Sequence, residues 1–441
     1  MKTFLQPLQN LAEMEEIQKQ AKKNRGILEI SGCMESQKAH LMYGLSGLFP
    51  CHLVIAADEK SAKELYEDYR FYDKRVYYYP AKDLLFFQAD IHGNLLIRQR
   101  MQVIRALLER EDEITVVTSI DGCMDYLAPL EKIEKQLIHF RNDSTLDMDK
   151  LTAALVHMGY ERVGQVEMPG QFSIRGGIID IYSLTEENPW RIELWGDEID
   201  SIRSFDAQSQ RSLENLDDVT IYPAAEQPME KNGVSFLDYF KETETLFFLD
   251  ELNHLEENAK AVQEEFQQSC ENRKEKGEIS LSGDWMCTWE ELCHKINDRN
   301  CVAMSLLDPK KSNWKISGQF NITVKSMSSY QSSFELLVKD LKQYKKEGYQ
   351  IVLLSGSRTR AERLAKDLQE EGLNAFYGQD SDRILQPGEI MVAYGHARRG
   401  FEYPLVKFAV ITETDIFGKE QKKRKKKRES RTFRNFPLET M

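Results

Sequence analysis

Leu28-Glu29-Ile30-Ser31-Gly32-Cys33-Met34-Glu35-Ser36-Gln37-Lys38-Ala39-His40 is an apolar strand pattern that runs into a helical one through a short loop. Set against the phosphate-loop pattern Gly-x-x-x-x-Gly-Lys-Ser/Thr, Gly32 and Lys38 stand at the required spacing. Gln37, however, holds the place of the second glycine, and Ala39 that of the hydroxyl residue. Each change removes a function. A glycine at 37 would let the backbone turn successive N–H groups toward a phosphate, and a hydroxyl at 39 would ligate magnesium. Lys38 alone is a point charge and not a nucleotide site. Downstream, an apolar run from Thr245 ends in Asp250-Glu251, the setting of the acidic metal-binding and water-orienting pair of an ATPase. Such a strand end by itself often serves only as a helix start. Together the two segments predict the remains of an ATPase domain, with a degenerate loop and a vestigial acidic pair.

Around this stretch, residues 1–127 alternate helices and strands: strands at 52–57, 75–79 and 113–119, helices at 59–72 and 95–110. That order predicts a parallel sheet with crossover helices, the start of a multidomain α/β chain. From 128 to 222 the texture changes to short strands with turn signals behind a helix at 147–158, which predicts a small α+β insertion. Strands at 246–250 and 302–306, separated by a charged helix at 254–276, return to the first style, so 223–318 is expected to complete a discontinuous, helicase-like domain. A βαβ rhythm over 328–417 predicts a small third α/β domain, and 418–441 a basic linker.

The net charge of −13 is unevenly spread: ten Lys or Arg and two Glu fall between Lys419 and Arg434, leaving −21 on the rest of the 441 residues. So acidic a body argues against a broad sequence-independent grip on DNA. The like-charge run at 422–428 cannot fold on itself and reads as a linker, with contact to nucleic acid as the alternative. No apolar run approaches the roughly 20 residues of a membrane helix, and nothing resembles a signal peptide, so the cytoplasm is the expected location and no membrane a partner. The seven cysteines contain no Cys-x-x-Cys pair and are expected as reduced, mostly buried thiols. Cys293-His294 beside Cys287 completes no metal spacing and is expected to be buried and structural. Arg358, Arg360, Arg398 and Arg399 are expected to form a solvated basic rim.

In the insertion, period-two alternation puts Ile192 and Leu194 on one face and Arg191, Glu193 and Trp195 on the other. The same rule places Phe172 and Ile174 opposite Ser173 and Arg175. If the strands pair with polar faces aligned, Arg175, Arg191 and Trp195 form one patch. Trp with Arg is the pairing most enriched at interface hot spots, and an exposed cluster in which Arg stacks over Trp is the purely structural alternative.

The combination of Gly32-Cys33-Met34-Glu35-Ser36-Gln37-Lys38-Ala39, Tyr77-Tyr78-Tyr79-Pro80, Gly159-Tyr160-Glu161-Arg162, Ser173-Ile174-Arg175-Gly176-Gly177-Ile178-Ile179-Asp180-Ile181 and Gly196-Asp197-Glu198-Ile199-Asp200 resembles the amino-terminal part of bacterial transcription-repair coupling factor. That region is itself similar to the excision-repair helicase UvrB. Ser355-Gly356-Ser357-Arg358-Thr359-Arg360 with Arg398-Arg399-Gly400-Phe401-Glu402-Tyr403-Pro404 resembles the third domain that follows in the same family. UvrB itself fits less well, because it would keep an intact phosphate loop and a long aromatic-rich hairpin, for which the interval between Pro80 and Leu95 is too short. The resemblance implies that the insertion docks the damage sensor UvrA through Arg175, Arg191 and Trp195, and that RNA polymerase, DNA, ATP and magnesium belong to parts of the family's full chain that 441 residues leave no room for. No cofactor is then expected here. Two other readings stand beside it: an active ATP-dependent helicase or excision-repair subunit using Lys38, and a nonspecific nucleic-acid binder led by the tail.

Overall fold

The computed structural model describes residues 1–23, 25–82, 93–111, 113–226, 233–276, 286–307, 314–378 and 382–418. The basic run of the tail and residues 83–92, on which the missing-hairpin reading rests, lie outside the described residues. Strands Gly26–Ser31, Ile114–Ser119 and Thr245–Asp250 are buried along their whole length, as strands covered on both faces must be. They belong to a seven-stranded sheet in the order 316–321, 26–31, 300–305, 245–250, 51–56, 114–119, 76–79. Every neighbouring pair in it is parallel. The chain is thus a mixed α/β molecule built on a large parallel sheet. Its last strand, Ile316–Asn321, lies across the expected boundary at 318 and pairs with Gly26–Ser31.

The insertion leaves and re-enters this body through a neck where Val234 pairs with Leu127 and Ser235 with Tyr126, antiparallel. Arg100, fully buried on helix Gly93–Leu108, stitches both crossings. Its Nη2 donates to Asp125 at 2.9 Å, its Nε to Glu226 at 2.6 Å and its Nη1 to the Pro80 carbonyl at 2.9 Å. The guanidinium also lies 4.2 Å from the centre of the Tyr79 ring. Burial opposes the charge of Glu226, but Arg100 and Lys82 override it and hold its pKa at about 2. Beyond the neck, a six-stranded sheet runs in the order 212–216, 198–205, 190–195, 178–181, 171–175, 161–162. Its apolar face packs on helix Met148–His157 through Leu151, Leu155, Phe172, Ile179 and Ile192.

The third sheet, in the order 325–326, 401–403, 408–412, 350–355, 390–394, 375–378, does not stand apart. Val352, Leu354, Phe401, Phe408 and Val410 share one buried cluster with Phe4, Leu41, Val54 and Phe248 of the first body. This corrects the basic-rim expectation for Arg398, whereas the Arg399 side chain stays 44% exposed. Arg398 donates through its backbone N and Nε to the buried Asp68, at 2.9 and 3.1 Å, and pairs with Glu64. The Arg399 N–H reaches Ser36 Oγ at 3.1 Å. Arg358 and Arg360 do stay exposed, Arg360 pairing with Glu413 at 3.0 Å. A second correction concerns His294, which is 83% exposed and sits 3.5 Å from Asp298 on the last turn of helix Trp289–Asn297, while Cys287 and Cys293 are buried.

Candidate functional site

On the insertion sheet, register decides which side chains meet. Arg191 pairs with Asp180, Asp180 with Ser173, and Arg175 with Ile178, so Arg175, Asp180 and Arg191 lie on one face. Asp180 takes Arg191 Nε on Oδ1 at 2.7 Å, and Arg191 Nη2 and Arg175 Nη2 on Oδ2 at 2.9 and 2.6 Å. The Arg191 guanidinium stacks on Phe205, 4.4 Å from the ring centre, and not on Trp195 as the purely structural alternative would have it. Phe205 is free for this because the longer strand Glu198–Phe205 runs past the end of Trp190–Trp195. Trp195 itself is 83% exposed. Arg175 and Trp195 adjoin neighbouring turns, since the Leu194 N–H donates to the Gly177 carbonyl at 2.8 Å. Gly176 and Gly196 take positive φ at these turns, +61° and +66°, the conformation a tight hairpin needs.

Sequence reasoning missed Asp180 as a member of this face. Its signal was present: in Ile178-Ile179-Asp180-Ile181 the alternation puts Asp180 opposite the core-facing Ile179 and Ile181. Glu193, on the same face, pairs with Arg203.

The degenerate phosphate loop is occupied by its own chain. Lys38 Nζ donates to Asp250 Oδ1 and Glu251 Oε1, both at 2.6 Å, so the vestigial acidic pair and the loop lysine neutralise one another. Burial acts against the Lys38 charge, but the two carboxylates outweigh it and raise its pKa above the ordinary lysine value. Four backbone donors of the loop are spent as well: Gly32 N on the Leu306 carbonyl, Cys33 N on Ser305, and Gln37 and Lys38 N on Met34. Gln37 Oε1 accepts from Met34 N at 3.1 Å. Gly32 is needed for a reason other than phosphate: at φ +81° its missing Cβ would collide with the Ile322 carbonyl. Ala39 is fully buried in the core shared with the third sheet.

That sheet closes over the loop through Tyr403. Gln37 Nε2 donates to the Tyr403 hydroxyl at 2.9 Å, Tyr403 lies 3.1 Å from His40 Nδ1, and His40 Nε2 lies 2.8 Å from the Phe4 carbonyl. The chain is satisfied when His40 is neutral, with Nε2–H donating to Phe4 and Nδ1 accepting from Tyr403. Burial drives the His40 pKa from 6.5 down to about 4, and that of His52 likewise to about 4. Each ring should therefore contribute on the order of 3 kcal/mol of stability. The folded values lie below the unfolded ones, so this stability is complete above about pH 6.5, declines as pH falls and is gone by about pH 4. Thermal unfolding between pH 7 and pH 4 should show this decline; a midpoint unmoved across the window would contradict it.

Among the described residues no group of His, Cys, Asp and Glu side chains could hold a metal ion, and no helix is long and apolar enough to cross a membrane.

Residues 138–226 match the family described as UvrB interaction domain, and both hairpin turns, beside Arg175 and beside Trp195, lie inside that segment. The chain is similar to the transcription-repair-coupling factor of Bacillus subtilis (strain 168), 29% identical over 90% of this chain and 40% of that relative. It is 26% identical to that of Staphylococcus haemolyticus (strain JCSC1435) over 80% of this chain and 34% of the relative. For Staphylococcus epidermidis (strain ATCC 12228 / FDA PCI 1200) the figures are 25%, 80% and 35%. The resemblance read from the sequence is thus borne out, and the chain spans 40% or less of the length of these relatives.

Proposed function

We propose that this chain is the amino-terminal recruiting module of a transcription-repair coupling factor, bringing UvrA to stalled transcription complexes in the cytoplasm during transcription-coupled excision repair. The observation that carries this reading is the Arg175–Asp180–Arg191 cluster beside an exposed Trp195, inside the segment that matches the UvrB interaction domain. Trp195 offers a large rigid surface with two side-chain torsions to order, and the arginines supply oriented donors, the composition of an interface hot spot. The module itself is non-catalytic and takes neither ATP nor magnesium. The Lys38 ion pairs and the spent N–H groups of the loop support this. ATP-driven displacement of RNA polymerase along DNA belongs to the rest of the full-length factor.

Titration of the chain with purified UvrA, with ATP turnover followed in the same samples, tests the reading. Saturable binding without turnover is expected. Trp195→Ala should weaken binding by about 2 kcal/mol, roughly thirtyfold. Turnover in the absence of UvrA binding would instead identify a divergent motor.

A further inference from the structure

The two arginines of the docking face are not equivalent. Arg191 is 15% exposed. Its fork is bound to both oxygens of Asp180, its Nη2 also reaches Gln210 Oε1 at 3.1 Å, and its plane is stacked on Phe205. Arg175 is 47% exposed and commits Nη2 to Asp180. Between them Asp180, 1% exposed, sits on a strand whose neighbours Ile179 and Ile181 are core residues. A carboxylate so deeply placed costs desolvation and is compensated only by the geometry of its two partners. On this face Asp180 answers Arg175 and Arg191, Glu193 answers Arg203, and the exposed Glu198 stands opposite Trp195. Of the three arginines it is Arg175 that reaches furthest into solvent.

We propose that Asp180 is the positioning residue of this face: it locks Arg191 as a strut and aims Arg175 outward to take a carboxylate of the docking partner. The inference rests on the UvrA-docking reading above. A fork held in place before binding loses less freedom when it engages, and guanidinium matches carboxylate with two parallel hydrogen bonds. Trp195, on the adjoining turn, covers the neighbouring area and shields that contact from water.

The test is a titration of the full chain with UvrA as wild type, Asp180→Asn, Arg175→Ala, the double variant and Trp195→Ala. Asp180→Asn adds a net positive charge, so attraction by charge alone predicts tighter binding to an acidic partner. Positioning predicts the opposite sign, a loss of about tenfold or more. In the Arg175→Ala background Asp180→Asn should cost little further, because the side chain it aims is gone. Equal or tighter binding by Asp180→Asn overturns the proposal, as does the same loss in both backgrounds, which marks a role in stability alone. If Asp180→Asn does not fold, Arg175→Lys decides: it keeps the charge and loses the fork, and unchanged affinity overturns the proposal. A wild-type chain that does not bind UvrA sinks the docking reading and this inference with it. Binding that Trp195→Ala weakens and Asp180→Asn does not sinks the inference alone.

Discussion

Arg100→Met should lower the unfolding free energy by about 3–5 kcal/mol, the range for breaking a buried ion pair by removing one partner. Arg100 is fully buried, and two carboxylates, Asp125 and Glu226, depend on it together with the Pro80 carbonyl and the face of Tyr79. Methionine fills much of the volume but supplies none of the donors. Lys82 remains to pair with Glu226, so the penalty concentrates on Asp125. Because Asp125 and Glu226 sit on the two crossings of the neck, the insertion should loosen from the parallel sheet before either core melts. A urea titration read by circular dichroism would show the lowered midpoint, and adding Asp125→Asn to Arg100→Met should recover part of the loss by removing the stranded charge. A midpoint equal to that of the wild type would show that the neck does not depend on this charge cluster.

Lys38→Met should also destabilise, by about 3 kcal/mol, and the direction is diagnostic. In a working phosphate loop the lysine serves the nucleotide and its removal spares the fold. Here its ammonium is what balances the buried Asp250 and the partly buried Glu251. The same structure predicts that ATP with magnesium leaves the wild-type melting temperature unmoved, whereas a ligand at a hundred times its dissociation constant would add about 2.7 kcal/mol. Gln37→Gly with Ala39→Ser should not create such a shift, because Lys38 and the N–H groups of Gly32, Cys33, Gln37 and Lys38 are already bound within the chain. A nucleotide-dependent rise in melting temperature in the wild type, or a Lys38→Met chain as stable as its parent, would contradict this account.

The parallel sheet was legible because strands buried on both faces are written as short apolar runs between amphipathic helices, a local pattern. The polar face carrying Arg175, Arg191 and Trp195 was legible too, since alternation fixes the side of the sheet whatever the neighbours are. The partner of each arginine was not, because antiparallel register brings Asp180 beside Arg191 and no rule of spacing names that pair. Nor was the exposure of His294 legible: Cys293 faces the core and His294 points away, which only the docked orientation of that helix decides.

The sequence by itself determined that the phosphate loop lacks its second glycine and its hydroxyl, that the insertion carries Trp and Arg on a polar face, and that the body is acidic. These are properties of residue type and local period. Only the tertiary structure decided what became of the loop: Lys38 meets Asp250 and Glu251 from more than two hundred residues away, and Gln37 meets Tyr403 from 366 away. It also decided that Arg398 clasps Asp68 where a solvated rim was expected. The reason is the same in each case. A charge or amide is satisfied by whatever the packed core brings within about 3 Å, and that choice is made by the docking of whole elements.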